Sequence, residues 1–460
     1  MAGFMIAAPR SGSGKTMVTC GILELLKRKQ KNPFSYKCGP DYIDGLFHRK
    51  VLGIEGGNLD SFFEQPQDMR EKYAAVSETH FPVVEGVMGY FDGLGGDTTA
   101  ASSWEVADIL NLPVVLVVDA KGASLSLAAL IKGFQVFQGE SQSSQANKNG
   151  NHIQAVILNR ISPMLYPRMK AVIEKETGVL VAGYVPELDF WQVGSRHLGL
   201  VLPGEIENLQ EQMRQLGDCL EKTLDVDVLL KLGEKADIDV LGSVTVTADG
   251  SSQKCEAQKN ADLVLQNQFA GEKISHSAIP IRLGVAWDEA FCFYYRDNLE
   301  FLEKQGVQIV QFSPVHDKHL PDDLDGLLLG GGYLYLLKEL EDENGTGYEM
   351  AGVFSGKGYK KGKNSHFGYI TVQTEKDSLY LKAGETIKGH EFHYWESTQD
   401  ENELKMQAKK PTGKRSWPCV TVKNQVMAGF PHLYYPSLEG FGERFVQACD
   451  RYRMKRKRQQ

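Results

Sequence analysis

The sequence has 460 residues, 42% of them hydrophobic and 24% charged, as in an ordinary globular protein of two or three domains. Its formal net charge of -8 at pH 7 gives no reason to expect a nucleic-acid partner, and we expect no membrane partner because no apolar run is long enough to span a bilayer. Seven cysteines, an odd number at irregular spacing, argue against a disulfide framework and predict a reducing, cytoplasmic location.

The first stretch, MIAAPRSGSGKTMVTC, joins a short apolar run to a Ser/Gly-rich turn and then to a helix. This order is the form of a phosphate-binding loop, in which backbone N–H groups and the helix N-terminus attract phosphate oxygens. Lys15 would reach the outer phosphates and the Thr16 hydroxyl suits a magnesium ion. Pro9 replaces the first glycine of the full pattern, so an ordinary Gly-rich turn is the alternative. We predict a nucleoside triphosphate site.

Up to about residue 235, short apolar strands alternate with helices. Near-continuous runs such as LPVVLVVD are typical of strands buried on both faces, which predicts an α/β domain with a parallel sheet between helices. Ligands of such sheets bind beyond the carboxyl ends of the strands. The predicted strands after the loop are 34–38, 81–85, 112–119, 153–159 and 179–185.

Polar residues follow three of these strands, where they would converge on the loop. Glu85 ends a buried strand and suits magnesium; an ion-pairing or capping acid is the alternative. Asp41, Asp44 and Asp92 lie in Gly- or Pro-containing turns, where Asp is also common for local reasons. Asn159 suits the edge of a purine, with helix capping as the alternative.

The pattern breaks between residues 241 and 278, a polar stretch that predicts a linker between domains 1–240 and 279–460. Strands and helices alternate again from residue 281. LDGLLLGGGY predicts a strand and a glycine loop, and LYLLKELED directly after it is a candidate helix. The later segments are mostly strand-like, with a helix at the end.

These motifs together resemble the cobyrinic acid a,c-diamide synthase family, across nearly the whole chain. The matching segments are SGSGKT, CGPDYID, NLD, VVEGVMGYFDG, LPVVLVVDA, ILNR, SRHLGL, VAWDEAFCFYY, FSP, LDGLLLGGGY, GHEFHY and HLYYPS. The resemblance implies an α/β fold with a parallel-sheet P-loop NTPase-like domain followed by a class I glutamine amidotransferase-like domain. It also implies a ligase of cobalamin biosynthesis, in which ATP phosphorylates a carboxylate and ammonia from glutamine displaces the phosphate.

Residue roles follow from the resemblance. It implies ATP and Mg²⁺ as cofactors, a corrinoid or related tetrapyrrole and glutamine or ammonia as substrates, and it leaves a homodimer open. Amidation of a nickel sirohydrochlorin is an alternative of the same chemistry, and a P-loop binding or regulatory protein is an alternative of another class. The implied positions are Gly12, Gly14, Lys15, Thr16 and Asn159 for ATP, Thr16 and Glu85 for the metal, Asp41, Tyr42, Asp44 and Asp92 for the tetrapyrrole and its reacting carboxylate, and His432 as the catalytic histidine.

The second domain departs from the family at its nucleophile. A glutaminase of this class needs a cysteine on a Gly-flanked strand-to-helix elbow, and none of the seven cysteines has that context. In the family the elbow lies between the glycine loop and the segment that resembles LYLLKELED, but here Leu334 follows Tyr333 directly. Either the segment is deleted or residues are missing from the sequence. We favour the second explanation, because losing a central strand is costly, and it predicts a chain gap at this junction.

Overall fold

A computed structural model describes residues 2–41, 48–137, 152–191, 208–234, 280–362, 366–398 and 404–459. Its first part contains a seven-stranded, all-parallel sheet in the order β3-β2-β4-β1-β5-β6-β7. The strands are β1 Phe4–Ala7, β2 Pro33–Cys38, β3 Gly56–Leu59, β4 Phe81–Glu85, β5 Val114–Asp119, β6 Ile153–Asn159 and β7 Leu180–Val185. The predicted parallel sheet is confirmed, and β3 is a strand that the sequence analysis did not predict.

Helices cover both faces of this sheet and divide its core in two. Alternate residues of β1 belong to different clusters: Phe4 and Ile6 pack with the first helix, whereas Met5 and Ala7 face the opposite layer. The helices are α1 Lys15–Arg28, α2 Pro66–Ser77, α3 Ser103–Leu110, α4 Ser126–Val136, α5 Tyr166–Thr177, α6 Leu209–Thr223 and α7 Val226–Glu234.

The second part begins with a three-stranded parallel sheet in the order β10-β8-β9, around which two helices pack. A four-stranded sheet, β12-β11-β13-β16, and a six-stranded sheet, β19-β18-β17-β14-β15-β20, complete it. The elements are β8 Ile281–Ala286, α8 Arg296–Lys304, β9 Val307–Phe312, β10 Gly326–Leu328, β11 Glu339–Glu341, β12 Gly347–Glu349, β13 Lys357–Lys360, β14 His366–Gln373, β15 Thr386–His393, β16 Trp395–Ser397, β17 Leu404–Lys409, β18 Ser416–Lys423, β19 Val426–Gly429, β20 His432–Leu433 and α9 Phe441–Gln459.

The stretch after Tyr333 differs from the helix expected there. The Leu336 N–H donates to the carbonyls of Gly332 and Tyr333, at 3.2 and 3.1 Å, so the chain makes one turn of 3-10 helix, Leu334–Leu336, across the junction. This turn is formed by the sequence as given, so the choice between a deletion and residues missing from the sequence stays a prediction. The candidate helix was wrong, because the chain turns into β11 within a few residues.

The predicted linker, 241–278, lies outside the described residues, so the domain limits 1–240 and 279–460 stay predictions. Within the part of the chain that the structure describes, no helix combines the length and apolar character that a membrane crossing needs.

Candidate functional site

The phosphate-binding loop connects β1 to α1 in the middle of the sheet. Gly12 and Gly14 have φ angles of +77° and +95°, a region that favours glycine. A Cβ on Gly14 would lie 2.2 Å from Nδ2 of Asn159, so a larger residue would displace that side chain as well as strain the backbone. Lys15 is 8% exposed, and its ammonium donates to the carbonyl of Met88 in the neighbouring loop. The loop therefore has the conformation and the inward-facing cation that the sequence predicted.

Thr16, Glu85 and Lys37 meet beside this loop. The Thr16 hydroxyl donates to Oε1 of Glu85 at 2.6 Å, and Nζ of Lys37 donates to the same oxygen at 2.7 Å. Glu85 is fully buried and Lys37 is 7% exposed. The structure thus brings the two predicted metal ligands together. Lys37 was missed, although a lysine near the end of the otherwise buried strand PFSYKC was a usable signal.

The Glu85 carboxylate has one oxygen that could coordinate a cation. Oε2 of Glu85 is buried and has no hydrogen-bond partner. Mg²⁺ is commonly held by one or two protein oxygens together with substrate phosphates, so the Thr16 and Glu85 oxygens fit a nucleotide-bound magnesium. Among the described residues there is no group of three or more His, Cys, Asp or Glu side chains suited to a metal.

Asn159, at the end of β6, contacts the loop directly. Its Nδ2 donates to the carbonyl of Ser13 at 2.9 Å, and the residue is 3% exposed. This contact fixes the Asn159 side chain against the loop. Its Oδ1 is buried and has no hydrogen-bond partner, so the adenine contact and the alternative of helix capping both stay predictions.

The acids proposed to bind the tetrapyrrole differ in their burial and in their contacts. Asp41 is half-buried and follows the turn after β2, where Nδ2 of Asn58 donates to its carbonyl at 2.8 Å. Asp92 is exposed, and its Oδ2 accepts from the N–H of Gly89 at 2.8 Å, which is a local turn contact. Tyr42 and Asp44 lie outside the described residues. Asp41 and Asp92 follow β2 and β4, which are neighbours in the sheet, as the strand-end argument predicted.

His432 lies on β20, opposite His390 on β15, and lines a cavity of about 980 Å³. Burial, and the neighbouring His393, lower the pKa of His432 to about 4, so its imidazole is neutral at pH 7. The cavity runs from His432 to the sheet edge formed by β10, where Leu327 is 44% exposed. Gly330 and Tyr333, before the junction, also line it.

No described cysteine near His432 has the character of an activated nucleophile. Cys449 lines the cavity, but burial raises its thiol pKa to about 12. Burial also raises the thiol pKa of Cys292 and of Cys419. A thiol with a raised pKa stays protonated at pH 7 and is a poor nucleophile. Cys255 lies outside the described residues.

Two family models match the chain. The CobQ/CobB/MinD/ParA nucleotide binding domain matches residues 4–200. The CobB/CobQ-like glutamine amidotransferase domain matches in two segments, 282–334 and 331–438, which meet at the junction after Tyr333. The first match contains the phosphate-binding loop and Glu85, and the second contains His432.

Curated relatives named cobyrinate a,c-diamide synthase match 85–98% of the chain. The protein of Caldanaerobacter subterraneus subsp. tengcongensis is 32% identical over 488 residues, covering 98% of both chains. That of Streptococcus sanguinis is 34% identical, covering 94% of this chain and 95% of the relative, and that of Salmonella typhimurium is 33% identical, covering 85% of each. The first alignment is longer than the 460 residues of this chain, so this chain lacks residues that the relative has.

Proposed function

The chain belongs to the cobyrinate a,c-diamide synthase family, and we propose that it uses ATP to convert the a- and c-carboxylates of cobyrinic acid into amides. The observation that carries this proposal is the cluster of Lys15, Thr16 and Glu85 at the carboxyl ends of adjacent strands. Such a cluster serves phosphoryl transfer, and amide formation from a carboxylate needs that step, because hydroxide is a poor leaving group.

The proposed reaction has two steps. A carboxylate oxygen of the corrinoid attacks the γ-phosphorus of ATP, which forms an acyl phosphate and releases ADP. Ammonia then attacks the acyl carbon, and inorganic phosphate leaves with the electron pair of the broken C–O bond. The first step is mainly positioning and charge neutralisation.

Each residue of the cluster has a defined task in that step. Lys15 neutralises charge on the transferred phosphoryl group, and the loop N–H groups hold the phosphates. Thr16 and Glu85 would hold Mg²⁺, which would supply positive charge to neutralise the phosphates. The magnesium role is supported by the unpartnered Oε2 of Glu85. Lys37 keeps the Glu85 carboxylate aimed at the loop through its 2.7 Å contact.

The corrinoid is proposed to lie over the ends of β2 and β4. Asp41 and Asp92 follow these strands, and Tyr42 and Asp44 follow Asp41 in sequence. In parallel sheets the ligand lies beyond the carboxyl ends of the strands, which supports this position. A carboxylate delivered there would be near the outer phosphate of a nucleotide bound at the loop.

For the nitrogen source, we propose that this chain, as its sequence stands, depends on ammonia. Glutamine hydrolysis needs a thiolate that His432 can activate, and the thiols described near the cavity have raised pKa values. The match to the amidotransferase model breaks at the junction beside this cavity. Ammonia needs no such nucleophile, because the acyl phosphate is already activated.

The proposal is tested by one assay with two nitrogen sources. The purified chain is incubated with cobyrinic acid, ATP and Mg²⁺, with either glutamine or ammonium chloride, and mono- and diamide products are detected by mass spectrometry. We expect products with ammonium and none above background with glutamine. Lys15→Met, which removes the phosphate-binding cation and retains the length of the side chain, should abolish amidation.

Other results would contradict specific parts of this proposal. Equal rates with glutamine and ammonium would reject the proposed loss of glutaminase activity. No amide and no corrinoid-stimulated ATP hydrolysis with either source would reject the ligase function and favour a P-loop binding or regulatory protein. A cytoplasmic location and a homodimer stay part of the proposal; the first is supported by the odd number of cysteines at irregular spacing.

A further inference from the structure

The turn that carries Asp41 is held by both domains. Within the first domain, Nδ2 of Asn58 donates to the carbonyls of Gly39 and Asp41, at 2.9 and 2.8 Å. From the second domain, the Tyr295 hydroxyl donates to the carbonyl of Pro40 at 3.2 Å. Tyr295 is 3% exposed, so this contact is shielded from water. Three consecutive carbonyls of a strand-end turn are therefore fixed, and one of them is fixed across the domain interface.

The ammonium group of Lys72 links Asn58 to helix α8 of the second domain, which begins directly after Tyr295. Nζ of Lys72, on α2, donates to the Asn58 carbonyl at 2.7 Å. The same nitrogen contacts Oε2 of Glu64 at 2.6 Å and Oδ2 of Asp297, on α8, at 2.9 Å. A lysine ammonium has three protons, and these three acceptors can take all of them. Lys72 thus connects the support of the turn to α8.

The helix α8 in turn holds the segment that follows His432. Nδ2 of Asn298 donates to the Leu433 carbonyl, and its Oδ1 accepts from the N–H of Tyr435, each at 2.8 Å. Asn298 is 6% exposed. The main chain on both sides of Tyr434 is therefore fixed to the start of α8.

The Tyr434 side chain contacts both α8 and the first domain. Its hydroxyl donates to Oδ2 of Asp297 at 2.9 Å, the oxygen that also accepts from Lys72. Its ring stacks on Phe63 of the first domain, with centroids 4.9 Å apart and ring planes 4° from parallel. A ring fixed by stacking on one domain and by a charge-assisted hydrogen bond on the other resists sliding of the interface.

We propose that Tyr295, Lys72, Asp297 and Tyr434, here called the interdomain brace, are positioning residues that hold the Asp41 turn in the geometry that accepts the corrinoid. This inference rests on the proposed function and deepens it. It gives the second domain a task in the ammonia-dependent reaction, which requires no glutamine hydrolysis. The brace acts on the corrinoid side, because the contacts described above lead to the Asp41 turn and not to the phosphate-binding loop.

The position of these hydrogen bonds distinguishes the brace from a general interface. Gly39 has a φ angle of +78°, so the turn begins in a conformation that its own sequence permits but does not enforce. Contacts that end on the carbonyls of Gly39, Pro40 and Asp41 restrict that turn directly. Contacts between helix surfaces elsewhere would stabilise the interface without setting the position of a substrate-binding loop.

The test compares two nearly isosteric variants with one control on the same helix. Tyr295→Phe removes the bond to Pro40, and Asp297→Asn removes the charge between Lys72 and Tyr434. Glu300→Gln is the control, since Glu300 pairs with Arg296 on α8 and its side chain is 43% exposed. Amidation is measured with saturating ammonium while cobyrinic acid and ATP are varied separately.

We expect the KM for cobyrinic acid to rise about tenfold in each brace variant, the effect of losing one buried hydrogen bond. The KM for ATP should stay within about twofold, and Glu300→Gln should behave as the wild type. An unchanged KM for cobyrinic acid in both brace variants would overturn the proposal. Equal rises for both substrates would also overturn it, since they would indicate general loosening of the fold.

A binding measurement separates this inference from the proposed function. Calorimetric titration of cobyrinic acid into the wild type and into Tyr295→Phe needs no turnover. If the wild type binds without amidating, the function is rejected, and a tenfold weaker affinity of the variant still supports the brace. Equal affinities would reject the brace even where amidation is observed.

Discussion

Replacing Glu85 by Gln tests the cluster on which the proposed chemistry depends. The change retains the shape of the side chain but leaves Lys37, which is 7% exposed, beside a neutral group in a buried site. Removing one partner of a buried ion pair costs about 3–5 kcal/mol, because the remaining charge is desolvated and has lost its counter-ion. Solvent screens this pair little, since Glu85 is 0% exposed, so the full range applies. The variant should melt several degrees lower than the wild type.

The loss of metal binding is separable from this loss of stability. Lys37→Met should destabilise by a similar amount, and the double variant should recover much of the loss, because neither charge remains alone. Glu85→Gln and the double variant should both lose the part of the ATP-induced rise in melting temperature that depends on Mg²⁺, and amidation should fall at least about a hundredfold in both. The assay is thermal melting with ATP, in Mg²⁺ or in EDTA. A double variant that is stable and retains the Mg²⁺-dependent shift would refute the metal assignment of Glu85.

Two further predictions concern a glycine and a buried acid. Gly14→Ala should abolish ATP binding in a calorimetric titration, since its Cβ would lie 2.2 Å from Nδ2 of Asn159, whereas Gly12→Ala, with open space around it, should retain weakened binding. Burial raises the pKa of Asp60 to about 6, against hydrogen bonds from Tyr369 and the backbone that lower it. The folded state therefore binds the carboxyl proton of Asp60 more tightly than the unfolded state does. This difference adds about 3 kcal/mol to the free energy of unfolding below pH 4, and the contribution is lost as pH rises through 6. Melting curves should show the advantage of wild type over Asp60→Asn shrinking across that range, and a constant difference would contradict this.

The site in the first domain was predictable because its signals are local. The loop, its helix and the apolar strands follow from short-range patterns, and the strand-end rule then places Glu85 near Thr16 without any long-range information. Lys37, the ion-pair partner of Glu85, was harder to predict from the sequence. Lys37 lies on a buried strand whose neighbour is known only once the strand order β2-β4-β1 is known.

Contacts between the domains could not be predicted from sequence patterns. Asp60 fits a local cap, and its Oδ1 does accept from the N–H groups of Phe62 and Phe63. Its second oxygen accepts from the Tyr369 hydroxyl, 309 residues further along the chain. Periodicity and turn propensity contain no information about such a pair, because the contact forms only when the two domains pack against each other. Asn159 illustrates the same limit, since its 2.9 Å contact with the Ser13 carbonyl joins residues that are far apart in the sequence.

The missing segment affects the two halves of the molecule differently. The cavity beside His432, the exposed Leu327 on β10 and the break in the amidotransferase match all lie at the junction after Tyr333. A segment inserted at this junction would adjoin that cavity and the edge of the sheet formed by β10, and a sheet edge can accept another strand. The interdomain brace and the Thr16–Glu85 pair are formed without that segment. The proposed loss of glutamine hydrolysis therefore leaves intact the contacts that hold the Asp41 turn, which is why we expect amidation to persist when ammonia replaces glutamine.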